Sequence, residues 1–103
     1  MEVKFANYGQ ERGLDATDGE IKIFETLINM TGLDRLKMVR KSDSYVTAIY
    51  RGWDLARFKY TQRAKWIAFP TVEVGPPKHR IVNPEDVTEF GELLTRSLEI
   101  IEK

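Results

Sequence analysis

The chain contains no cysteine and a single histidine, His79. The first absence excludes a disulfide framework, thiolate metal sites and cysteine nucleophiles. The second leaves no pair of imidazoles to hold a metal, so neither a metal nor a cofactor is expected. Long apolar runs are missing as well. None approaches the ~20 residues of a membrane-spanning helix, and Met1–Tyr8 lacks the hydrophobic centre of a signal peptide. The expectation is a cytoplasmic protein without membrane contact. The seven glycines are scattered, and neither a phosphate-cradling GxxxxGK loop nor a GxSxG nucleophile turn occurs.

What remains fits one small domain over residues 1–103. The 103 residues are 42% hydrophobic and 31% charged, a composition that folds rather than stays disordered. Residues 1–17 are expected to be loose or to add a short strand around Val3 and Phe5. Net charge is zero, but its distribution is uneven. Residues 34–80 carry eleven Lys and Arg against four Asp and Glu, whereas both flanks are anionic. A cationic middle between acidic ends points to an anionic partner or to internal neutralisation.

A helix begins near Asp18, the expected N-cap, with Glu20 in the first turn where free N–H groups point. Ile21, Phe24, Leu27, Ile28 and Met30 form its apolar stripe, and Gly32 stops it. The period then changes to alternation. Leu36–Arg40, Tyr45–Tyr50, Leu55–Tyr60 and Ala64–Phe69 read as strands, joined by short turns at 41–44, 51–53 and 61–63. Such short connections require antiparallel neighbours. Thr71–Val74 either extends the sheet or leaves it, and Gly75–Arg80 reads as a stiff basic loop. Asn83-Pro84-Glu85-Asp86 then opens a second helix that runs to the C-terminus. Its stripe is Val87, Phe90, Leu94, Leu98 and Ile101, with Phe90 and Leu94 expected among the most buried side chains.

The fold expected is therefore α+β: a four-stranded antiparallel meander with an N-terminal and a C-terminal helix packed on one face. Phe58, Ile67 and Phe69 are assigned to the inner face and Arg57, Lys59 and Trp66 to the outer. This assignment requires a four-residue loop between the third and fourth strands, since a one-residue slip inverts every side chain. Leu55 falls with Arg57 and Lys59 on the wet side of its strand.

Catalytic chemistry finds little support. His79 is an available general base, and Asp54 and Glu73 are an available acid pair, but no spacing links them to a nucleophile. Binding is the leading expectation, through a cationic, aromatic sheet face of Trp53, Arg57, Lys59, Arg63, Lys65 and Trp66. Lys78, His79 and Arg80 form a second anion site. Tryptophan beside arginine is typical of protein interfaces, and a free strand edge can pair with another chain or a second copy as a homodimer. The alternative partner is single-stranded nucleic acid, because phosphates attract Lys and Arg while bases stack on aromatic rings.

Overall fold

The computed structural model describes residues 16–32, 36–42 and 45–103. The strand expected near Val3 and Phe5, Arg35 and turn residues 43–44 lie outside the described residues. Helix α1 spans Asp18–Thr31. Strands β1 (Lys37–Ser42), β2 (Tyr45–Tyr50), β3 (Trp53–Tyr60), β4 (Lys65–Ala68) and β5 (His79–Arg80) follow. A 3₁₀ segment, Pro84–Phe90, leads into helix α2, Gly91–Ile101.

The class is α+β with an antiparallel sheet and two helices, as the alternation and short turns imply. The sheet has five strands, not four, in the open order β1-β2-β3-β4-β5. The fifth is His79–Arg80, which the sequence places in a loop: Trp66 pairs with Arg80 and Ile67 with His79. Two residues carry no readable period. They pair because the outer edge of β4 would otherwise present unmatched backbone groups.

Both turns flanking β3 follow from local chemistry. Arg51 and Gly52 have φ of 53° and 81°, so the two-residue turn between Tyr50 and Trp53 has the left-handed geometry that matches strand twist. Tyr60 pairs with Lys65, which makes Thr61–Ala64 a four-residue loop. That register puts Val46, Phe58 and Ile67 in one row facing the helices, all fully buried. Phe69 joins them in the core cluster with Ile23, Phe24, Leu27, Leu94 and Ile101 from the two helices. Thr47, Arg57 and Ala68 form a row on the opposite face, and Lys59, Trp66 and Arg80 form another.

Three expectations need correction. Leu55 is not on the wet side; it is fully buried. Ala48 pairs with Ala56 but Ile49 with Asp54, so Leu55 is the extra residue of a β-bulge, which breaks the two-residue alternation. The N-cap of α1 is Thr17 rather than Asp18: the Thr17 hydroxyl accepts from the Glu20 N–H at 3.1 Å and the Glu20 carboxylate accepts from the Thr17 N–H at 2.9 Å. Phe90 is only half-buried, whereas Leu94 is 3% exposed. The chain changes from 3₁₀ to α geometry at Phe90, and three residues per turn do not continue a 3.6-residue stripe. Among the described residues no helix is long and apolar enough to cross a membrane.

Candidate functional site: a cationic groove at the β4–β5 edge

The loop Thr61–Ala64 is organised by one hydroxyl. Thr61 Oγ1 accepts from the Arg63 and Ala64 N–H groups at 3.3 and 3.1 Å, and the Thr61 N–H donates to the Ala64 carbonyl at 2.8 Å. This turn presents Gln62 and Arg63 to solvent. Lys65 follows on β4 and lies 5.0 Å from the Tyr60 ring centroid, over its cross-strand partner. Tyr60 itself is fixed at both ends. Its phenol donates to the Val82 carbonyl at 2.7 Å, while its backbone N–H and C=O are held by Glu20 and Thr17.

The other side of the groove is formed by Lys78, Arg80, Ile81 and Val82, to which the connection from β4 to β5 leads. That connection is pinned twice: the Thr71 hydroxyl donates to the Asp54 carbonyl at 2.8 Å, and His79 Nε2 meets Glu73 Oε1 at 2.8 Å. The His79 ring also stacks at a tilt on Phe90, with centroids 5.0 Å apart. Strand alternation explains the result. His79 turns toward the helices, while its neighbours Lys78 and Arg80 turn to the other side.

Between these two walls lies a groove of about 490 Å³, lined by Gln62, Arg63, Ala64, Lys65, Trp66, Lys78, Arg80, Ile81 and Val82. Four of these residues are cations and none is a carboxylate. Trp66 contributes one wall but is only 9% exposed. It belongs to the sheet face away from the helices, as its strand position implies, yet it is covered there. Lys78 holds its ammonium 4.9 Å from the indole centroid, and Tyr45 meets the ring edge-on at 6.2 Å.

The residues singled out from sequence are thus redistributed. Arg63, Lys65, Trp66, Lys78 and Arg80 come together in the groove. Lys59 is half-buried across from Trp66 and does not line it. Arg57 stands further along the face, with its guanidinium bonded to Asp54 at 3.0 Å and lying 5.4 Å from the Tyr45 ring centroid. Trp53 sits at the opposite end of β3 beside the β2–β3 turn, 52% exposed. His79 is engaged with Glu73 rather than with the groove cations. Asp54 and Glu73 each hold a different partner, Arg57 and His79. Among the described residues no three His, Asp or Glu side chains converge as a metal site would require.

Sequence reasoning missed Gln62, Val82 and Pro76 as neighbours of these groups. Tyr45 carries a legible signal, since the β2–β3 register sets it on the same face as Lys59 and Arg57. Val82 and Pro76 carry none, because irregular chain places them. No family model, curated protein or solved structure matches the chain.

Proposed function

We propose that this is a non-catalytic binding domain whose groove at the β4–β5 edge holds the phosphate backbone of single-stranded nucleic acid. One observation carries the reading: Arg63, Lys65, Lys78 and Arg80 line one groove, and among the described residues that line it there is no carboxylate. Four like charges brought together repel one another, and a polyanion relieves that repulsion while releasing its own counterions. The segregation of charge along the chain therefore has a spatial counterpart in part of the cationic segment. Arg57 of that segment lies outside the groove and is paired with Asp54.

A second reading is a protein partner or another copy of this chain. Exposed Trp53 and Val82 favour it, at 52% and 67% exposure, together with the sheet edge at β5. An apolar partner surface, however, leaves four clustered cations unmatched, and interfaces are depleted in lysine. The phosphate reading ranks first for that reason.

The test is titration of a mixed-sequence DNA single strand, followed by fluorescence anisotropy at a series of salt concentrations. Four phosphate contacts predict a slope of log K against log salt of about −3, from roughly −0.7 per contact. Replacing Lys78 and Arg80 with Ala should weaken binding and bring the slope to about −1.4. Absence of saturable binding at low salt overturns the reading. Concentration-dependent sedimentation without added strand would then put self-association first.

A further inference from the structure

We propose that a small cavity beside the groove seats one nucleobase of the bound strand, against the face of Trp66 that Lys78 now covers. This rests on the nucleic-acid reading above. The cavity measures about 170 Å³ and is lined by Tyr45, Arg57, Trp66, Ala68, Pro76 and Lys78. Tyr45, Trp66 and Pro76 give it flat walls, and Ala68 leaves room that a larger side chain would fill. It shares Trp66 and Lys78 with the cationic groove. A phosphate chain in the groove therefore runs past the cavity.

Lys78 is the movable part. Its residue is exposed, and its ammonium rests on the indole at 4.9 Å. A lysine stem is flexible, and a phosphate offers the ammonium a full charge where the indole offers only a quadrupole. Turning to phosphate, Lys78 uncovers the ring, and any base has a π-face to place there. Arg57 adds selectivity. One of its terminal nitrogens is committed to Asp54 at 3.0 Å, while its Nε is buried without a hydrogen-bond partner. A carbonyl entering the cavity supplies the missing acceptor. Thymine's carbonyl oxygens project beyond its ring toward this recessed N–H, whereas adenine's acceptors are nitrogens set within its rings. The expected order is thymine above adenine, although stacking alone is tolerant of base identity.

Three strands of equal length and phosphate count test this: oligothymidylate, oligoadenylate and a base-free phosphodiester. Binding is read by anisotropy of end-labelled strands, and by tryptophan emission in Trp53→Phe, which leaves Trp66 as the one remaining indole of the chain's two. Thymidylate should bind about tenfold tighter than the base-free strand with an unchanged salt slope, and should quench Trp66. Arg57→Gln should bring thymidylate to the level of adenylate. If that variant fails to fold, the emission experiment decides alone. Equal binding of the base-free strand, or no quenching by thymidylate, overturns the base site and leaves the phosphate groove standing. If no strand binds at low salt, the groove reading falls and the base site falls with it.

Discussion

Most polar atoms on the two sheet faces are partnered, and among the described residues Thr47 and Arg57 Nε are exceptions; Thr47 is the clearer case. Its side chain is fully buried and its hydroxyl has no hydrogen-bond partner. A buried hydroxyl without a partner costs about 1–3 kcal/mol in desolvation. Valine has nearly the same shape without that cost. Thr47→Val is expected to raise stability by about 1 kcal/mol, visible as a higher urea midpoint at unchanged m-value. Gly19 shows the reverse sensitivity. A Cβ there would overlap the Tyr60 ring, which is held by its phenol bond to Val82 at 2.7 Å. Gly19→Ala should therefore destabilise despite the better helix propensity of alanine. A helix gain of about 1 kcal/mol does not offset overpacking, which costs typically ~1–3 kcal/mol plus loss of the Tyr60 bonds. Neither Thr47 nor Gly19 announces its role in sequence, because both roles arise across elements distant in the chain.

At the scale of elements, the first turn of α1 closes the end of β3. Thr17 and Glu20 form a capping box with each other, and the same side chains take the backbone C=O and N–H of Tyr60 at 2.6 and 3.2 Å. Glu20 is fully buried as a result. Glu20→Ala removes the box and leaves a strand N–H without its acceptor, so a loss on the order of 2–4 kcal/mol is expected by denaturant melting. Glu20→Gln keeps one acceptor oxygen and should lose clearly less. Large side chains grade in the same way. Phe58 is fully buried, and Phe58→Ala should cost about 3–5 kcal/mol; half-buried Phe90 should cost less, about 2–3 kcal/mol. A Phe90→Ala loss equal to that of Phe58→Ala would contradict the register change between the 3₁₀ segment and α2.

The elements also show where sequence is informative. Period and turn chemistry reveal α1, the three hairpin-linked strands β2–β4, and the assignment of Phe58 and Ile67 against Arg57 and Trp66. Those signals are local and set by alternation; the four-residue loop after Tyr60, which fixes the two faces, comes from the pairing of Tyr60 with Lys65 and not from the turn at 61–63 that the sequence suggests. The bulge at Leu55, strand β5 and the 3₁₀ segment are not local. Each depends on what lies opposite in space, and each breaks the period that the reading relies on. The groove is half-legible for the same reason. Arg63, Lys65 and Trp66 stand together in the chain, but only the return of Lys78 and Arg80 along β4 turns them into one site.

Across the whole molecule, one bond ties the far end of the chain to the sheet. The Tyr50 phenol on β2 donates to Glu102, just past α2, at 2.9 Å. That hydrogen bond, and then burial, raise the phenol above its ordinary value near 10, since both favour the protonated form. A raised value in the folded state means that the folded chain keeps this proton after the unfolded chain has lost it. The stabilisation is complete below the unfolded value and declines as pH rises from about 10 toward the folded one. Wild-type stability should therefore fall across that alkaline window, measured by urea unfolding at stepped pH. Tyr50→Phe lacks both the proton and the bond. It should start less stable at neutral pH and lose less on the same climb, so the two curves converge. Lysine deprotonation acts in the same range, but it is common to both proteins and cancels in their difference. Parallel curves would mean that the tie between Tyr50 and Glu102 does not hold α2 to the sheet in solution.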